Sequence, residues 1–185
     1  YTLRIKKGLS KDKIKQISLI KKEPKWMLKK RLDAYEIFCK QEMPKWGPNL
    51  DEIDFNDIYY YISSSDIKTN SWEEVPNEIK NTFEKLGIPE SEKKFFAGVE
   101  SQYDSEVIYS NIKHDLEKQG IIFTDTDTAL KKYPKLIKKY FGLVIPSSDN
   151  KFSSLNTAVW SGGSFIYVPK GIKVTVPLQA YFFIQ

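Results

Sequence analysis

The chain has one cysteine, Cys39, and one histidine, His114, among its 185 residues. A single cysteine excludes an internal disulfide and leaves this chain no Cys-cluster metal site. The lone histidine has no Ser, Cys or metal-ligand partner at motif spacing, so it reads as a surface residue. Glycine is sparse, at nine residues. No apolar run approaches the roughly 18–20 residues of a membrane span. HExxH, CxxC and GxSxG are all missing. Ser161-Gly162-Gly163-Ser164 is glycine-rich but does not fit GxxxxGK(S/T), and a strand pattern rather than a helix follows it, so it reads as a turn. The opening YTLRIKKGLS lacks the form of a signal peptide.

What is present fits a folded chain. Hydrophobic residues make up 41% and charged residues 29%, which is globular rather than disordered. The formal net charge of +5 comes from 29 basic against 24 acidic residues. That excess is spread along the chain and reads first as a solvated lysine surface, with a face for nucleic acid or an acidic protein as the sharper alternative. Lysine, isoleucine, asparagine, tyrosine and phenylalanine are conspicuous. This bias fits AT-rich coding DNA such as that of an organelle.

In chain order, a first helix is expected over residues 9–22, capped by Ser10, with Ile14, Ile17, Leu19 and Ile20 on its apolar side. Pro24 opens a second, about 24–41, with Leu28, Leu32, Tyr35 and Cys39 as its stripe and Met27, Ala34 and Phe38 beside it. On that register Lys29, Lys30, Arg31 and Asp33 point away, and Cys39 is a small core residue. Residues 44–75 read as an irregular linker, in which Tyr59-Tyr60-Tyr61 covers a core or an interface and Ser63–Asp66 is a flexible link. A third helix, about 76–86, is expected to bury Ile79, Phe83 and Leu86 and to end at Gly87, with Ile88 and Pro89 beyond. Phe95–Val99 reads as a strand or buried loop.

A fourth helix is expected over 105–119, with Ile108, Ile112 and Leu116 inward and Asp104 or Ser105 as its cap. Ile121–Phe123 is a short strand, Thr124–Thr128 caps a helical turn to Lys132, and Pro134 starts a last helix with Leu136, Ile137, Tyr140 and Phe141 inward. Paired acids such as Asp125 and Asp127 suit helix starts without any catalytic role. Lys131, Lys132, Lys135, Lys138 and Lys139 form the densest basic patch. Leu155–Gln185 reads as β-structure: strands over Phe165–Val168 and Ile172–Val176 flank a Pro169-Lys170-Gly171 turn. Ile172, Val174, Val176 and Leu178 alternate against Lys173, Thr175 and Gln179. From Ala180 both faces are apolar, which demands cover on both. A longer protein, or a partner over this end, is the expectation. Residues alone give a helical segment leading into β-structure, with no visible active site.

Several blocks carry more. Glu100–Tyr109 (ESQYDSEVIY), Gln119–Asp127 (QGIIFTDTD), Tyr140–Gly142 and Val144–Phe152 (VIPSSDNKF) resemble the SufB family of iron–sulfur cluster assembly scaffolds. The strongest block is Leu155–Gly171 (LNTAVWSGGSFIYVPKG), and Glu23–Met27, Arg31–Tyr35 and Lys85–Pro89 are similar too. The resemblance runs from about residue 8 to the end. It implies an α+β chain: a mainly helical N-terminal domain over 1–150, with its irregular linker near 44–75, then over 151–185 the first strands of a right-handed parallel β-helix.

It also implies an assembly scaffold, not an enzyme, working with the SufC ATPase and SufD and receiving sulfur from SufS/SufE. Family complexes are associated with an iron–sulfur cluster and reduced flavin, but no catalytic, cofactor-binding or metal residue maps onto this chain; those lie beyond Gln185. Some members have a cysteine cluster near Ser63–Ser65, which this chain lacks. Phe183 and Gln185 stand where the family has more polar residues. No nucleic-acid or membrane contact is expected. With the composition, the resemblance points to plastid or apicoplast stroma, with bacterial cytoplasm as the alternative.

Overall fold

The computed structural model describes residues 3–63, 74–75, 77–85, 98–103, 106–112 and 114–183. In chain order the first elements are β1 (Leu3–Arg4), α1 (Lys11–Ile20), α2 (Lys25–Lys40), β2 (Ile62–Ser63) and α3 (Asn77–Lys85). There follow β3 (Gly98–Tyr103), β4 (Glu106–Ile112), α4 (His114–Lys118), β5 (Ile122–Asp125), α5 (Thr126–Lys132) and α6 (Pro134–Tyr140). The last are α7 (Lys151–Val159), β6 (Ser164–Tyr167) and β7 (Leu178–Phe183). The chain divides into two compact units. One holds residues 4–62 and 130–161; the other holds 1–3, 63–129 and 162–185.

The first unit is built on α1, α2 and α7. Ser10 caps α1 as expected, its hydroxyl accepting from Lys13 N at 3.3 Å. Ile14, Ala34 and Ala158, one residue from each helix, form a fully buried cluster. Small residues at two of these three positions let the helix backbones approach closely. Ile17 packs with Ile5 and Tyr61 in a second cluster. Leu19, expected inside, is 78% exposed, and Ser18 is buried in its place. Residues 44–61, within the stretch expected to be irregular, contain no regular element, whereas Ile62–Ser63 form β2 and Ser63 is buried, not part of a flexible link. Tyr61 is buried, Tyr60 donates to Phe55 O at 2.9 Å, and the Arg4 guanidinium lies 3.5 Å from the Tyr59 ring centroid. The aromatic run therefore builds structure.

The inward face of α2 corrects the sequence expectation. Met27, Arg31, Ala34 and Phe38 are buried, a stripe at i, i+4, i+7 and i+11. Leu28, Leu32 and Tyr35 are only half-buried, and Cys39 is exposed. Cys39 follows Phe38 by one residue, so a helical turn of about 100° carries it off the buried face.

A second correction concerns residues 151–159. They form the helix α7 rather than β-structure. Asn150 caps it, accepting from Phe152 N and Ser153 N, while Ser153 Oγ accepts from Asn150 N, a reciprocal capping box.

In the other unit, β4, β3 and β7 make a three-stranded sheet in that order. The helix expected over 105–119 is instead the strand β4 and the short α4. β4 runs antiparallel to β3, with Tyr103 opposite Glu106 and an irregularity between Ser101 and Gln102. Val107, Ile108 and Tyr109 are residues that favour a pleated strand. β7 pairs with β3 in parallel, from Gly98 opposite Leu178 to Tyr103 opposite Phe183. β5 pairs antiparallel with β6, from Ile122 opposite Tyr167 to Asp125 opposite Ser164.

The Pro169 turn is present: Ile172 N donates to Pro169 O at 3.2 Å and Gly171 has φ of +86°. It does not join two paired strands, however. Residues 172–176 form no ladder, although Ile172, Val174 and Val176 are half-buried and Lys173 and Thr175 exposed. Gly162 and Gly163 have φ of +65° and +101°, and Gly163 O accepts from Thr126 N at 2.8 Å and Thr126 Oγ1 at 2.9 Å. This glycine pair is a turn packed on α5. The expected contacts of Ile79, Phe83 and Leu86, the Gly87–Pro89 stop, Ser64–Asp66, Phe95–Ala97 and the Asp104/Ser105 cap lie outside the described residues or side chains.

Candidate functional site

The first unit is locked by a buried ion pair. Arg31 and Glu23 both have fully buried side chains. Arg31 Nε donates to Glu23 Oε2 at 2.8 Å and Nη2 donates to Glu23 Oε1 at 2.6 Å, a two-pronged match of guanidinium and carboxylate. The remaining donors reach α7: Nη1 donates to Ala158 O at 3.0 Å and Nη2 to Trp160 O at 2.8 Å. These carbonyls stand at the C-terminal end of α7, where backbone acceptors lack helical partners. The Trp160 ring lies 4.6 Å from the guanidinium, and Lys21 Nζ is 5.6 Å from the same ring. One side chain thus ties α2, the α1–α2 connection and the end of α7.

A second clasp works in reverse. Lys151, at the start of α7, donates to Phe38 O at 2.9 Å and Gln41 O at 2.8 Å, at the C-terminal end of α2. Its ammonium lies 4.3 Å from the Phe38 ring centroid. Ser154, fully buried, donates to Gln41 Oε1 at 2.9 Å. A cation is favoured at a helix C-terminus, and its three N–H groups satisfy the exposed carbonyls there. The C-terminal end of each helix in the α2–α7 pair is therefore closed by a basic side chain of the other helix.

Neither clasp holds a reactive arrangement. The carboxylate of Glu23 is taken up by Arg31, and no nucleophile adjoins it. Cys39 sits on the exposed side of α2, near Tyr35, whose hydroxyl is raised in pKa first by burial and then by its bond to Cys39. Lys11 pairs with Glu36 at 2.9 Å; that ion pair holds Glu36 below the usual carboxylate range and Lys11 above its own. His114 is exposed, with Nδ1 at 3.4 Å from Glu117, and fits the surface role expected for it. A hollow of about 460 Å³ is lined by the loop from Glu42 to Asp51, whose Glu42 and Lys45 approach each other at 4.0 Å. It gathers no nucleophile with a base. Among the described residues, no three His, Cys, Asp or Glu side chains cluster as a metal site would need. No helix among them is long and apolar enough to cross a membrane.

The sequence reading missed the Arg31 node and found Lys151 only as part of a matched block. Its locating signal was present: Glu23 stands just before the Pro24 that opens α2, and Arg31 lies eight residues on. The family described as "SufBD protein N-terminal region" matches residues 13–180, a span that takes in most of α1, all of α2 and α7, and the strands from β2 to the start of β7. The chain belongs to the SufBD family.

Curated relatives agree. An iron–sulfur cluster assembly SufBD family protein of Staphylococcus saprophyticus is 56% identical over 179 residues, covering 97% of this chain. Counterparts of Staphylococcus haemolyticus and Staphylococcus aureus (strain USA300) are 55% and 56% identical over the same length. This SufBD chain spans 38% of the length of each of these relatives. They are bacterial, and they lend no support to the plastid or apicoplast compartment expected from composition. At this level of identity the family assignment made from residue blocks holds, while the comparisons do not separate SufB from SufD.

Proposed function

We propose that this chain is the N-terminal region of a SufB-type scaffold on which iron–sulfur clusters are assembled. The observation that carries the reading is the 56% identity to an iron–sulfur cluster assembly SufBD family protein across 97% of the chain. The cluster is cargo of the whole protein, and no residue of this chain is assigned to hold it or a flavin. The role of this region is structural. A unit clasped at the C-terminal ends of α2 and α7 gives the rest of the protein a rigid start, and the parallel pairing of β3 with β7 suits a sheet extended by further strands, as in a right-handed parallel β-helix.

On this reading the full-length protein works with a SufC-type ATPase and a SufD-type partner and accepts sulfur from a SufS/SufE-type donor pair. The compartment proposed is the bacterial cytoplasm, the setting that suits its relatives, in preference to a plastid stroma. The test is co-purification of the tagged full-length protein with its ATPase, followed by anaerobic loading with iron and sulfide. A stable complex that gains the visible absorption of an iron–sulfur cluster is expected. A full-length protein that binds no ATPase and gains no such absorption contradicts the proposal.

A further inference from the structure

The first unit displays an apolar loop that its own fold leaves uncovered. Leu143, Val144 and Ile145 are 66%, 92% and 64% exposed, and Tyr140, at the end of α6, is 45% exposed. Singly scattered apolar residues are ordinary on a surface, whereas three in succession beside an exposed tyrosine mark an interaction site. The loop is held rather than frayed. Leu143 N donates to Tyr140 O at 3.1 Å, and Lys30 Nζ donates to Phe141 O at 2.9 Å. The Phe141 ring packs on Trp160 with centroids 5.2 Å apart. On the far side Asp149 N donates to Pro146 O, and Gln41 Nε2 donates to Ser148 O, both at 3.0 Å. Gly142, with φ of +71°, makes the reversal between these anchors. A loop fixed at its base loses little further entropy when its tip is bound.

Lysines dominate the charge along this stretch, and Asp149 at the far anchor is the first acid after them. Lys131, Lys132, Lys135, Lys138 and Lys139 are all exposed, and no Asp or Glu occurs from Lys131 to Ser148. Lys139 Nζ lies 4.8 Å from the Tyr140 ring centroid. Nucleic acid would use the lysines but gives three aliphatic side chains nothing to fill. An anionic membrane would use both, but α6 is seven residues long, far short of a helix lying in an interface. An apolar cleft edged by carboxylates uses both, with burial supplying affinity and the lysines supplying orientation and encounter rate. We propose that the Leu143–Ile145 loop and the lysines of α5 and α6 form a docking surface for a separate protein with an apolar cleft rimmed by Asp and Glu.

The test places the photo-crosslinker p-benzoylphenylalanine at position 144 of the full-length protein. Purified ATPase and sulfur-donor proteins, the partners of the proposed function, are offered in turn at about 0.1 M salt; only this choice of probes rests on that reading. A light-dependent crosslink to one of them at a carboxylate-flanked apolar segment is expected. Its yield should fall about tenfold or more with Lys138→Glu/Lys139→Glu, and likewise at about 0.5 M salt, where the screening length shrinks to a few ångströms. A crosslink only into the protein's own downstream chain overturns the proposal, as does flotation with phosphatidylglycerol vesicles at undiminished yield, or no crosslink at all. Co-purification with the ATPase is measured without the crosslinker, so failure here is distinguishable from failure of the scaffold reading.

Discussion

Replacing Arg31 with methionine should be among the most damaging single changes in the first unit. The substitution keeps much of the apolar stem but removes four hydrogen bonds, two to Glu23 and one each to Ala158 O and Trp160 O. It leaves the Glu23 carboxylate buried without its cation. Removing one partner of a buried pair costs about 3–5 kcal/mol, because the other charge keeps its desolvation penalty. Against a typical total stability of about 5–15 kcal/mol, this is about a fifth at the least and most of it at the most. The pair itself need not stabilise the fold relative to an apolar substitute, so Arg31→Met combined with Glu23→Leu should recover a large part of the loss.

The assay is amide hydrogen exchange of the full-length protein, read by mass spectrometry on peptides covering α2 and α7. At about 1.4 kcal/mol per tenfold, Arg31→Met should speed opening of both helices by roughly two to three and a half orders of magnitude. The double variant should lie well below the sum of the two single effects. A single-variant cost under about 1 kcal/mol, or strict additivity of the two changes, would refute the idea that this ion pair locks the unit.

Other expectations follow from the same geometry. Lys151→Met removes two bonds to the C-terminal carbonyls of α2, and chemical denaturation should show a loss of about 1–3 kcal/mol, most visible in exchange at residues 36–41. Cys39 is exposed, so the folded chain should react with a thiol reagent in the absence of denaturant at a rate near that of a free cysteine peptide. Labelling that waits for unfolding would place it inside. Tyr60 is pushed up to about 12, first by burial and then by the charge of Asp54. Its folded pKa exceeds the ordinary value near 10, so its contribution to stability is complete below about pH 10 and is lost as pH rises towards 12. Ultraviolet titration should show a late-titrating tyrosine component that is lost in Tyr60→Phe. Glu36 is shifted the other way by Lys11, so its contribution is present above the ordinary carboxylate range and lost on acidification. Salt should weaken it, since both groups are exposed.

Local signals in the sequence proved sound where local chemistry decides structure. Ser10 caps α1, Pro134 opens α6, Gly142 and Gly171 turn the chain, and Tyr61 joins the core. The failures share one cause, which is that the deciding partner is distant. Arg31 was assigned outward because a charged residue on a helix ordinarily faces water. Its burial depends on acceptors 127 and 129 positions away. The expected stripe through Leu28, Leu32, Tyr35 and Cys39 lies beside the buried one, which runs through Met27, Arg31, Ala34 and Phe38 and leaves Cys39 outside. Ile108, Ile112 and Leu116 have helical spacing, but pairing with β3 makes the first two part of a strand. Conversely, Leu155–Val159 carries β-branched residues yet is helical, because the Asn150–Ser153 box starts a helix just before it. Periodicity over so few residues cannot choose between the two. The partners of β6 and β7, namely β5 and β3, were likewise not legible, since register between strands far apart in sequence leaves no local mark.

The assignment to iron–sulfur assembly is tested most directly by exchange of regions between relatives. In Staphylococcus aureus depleted of its SufBD family protein, the N-terminal segment that aligns with this chain would be replaced by it and aconitase activity measured. The account predicts that the chimera restores most of the lost activity, and that Arg31→Met within it does not. A chimera present in normal amount and soluble that leaves aconitase at the depleted level would contradict the account.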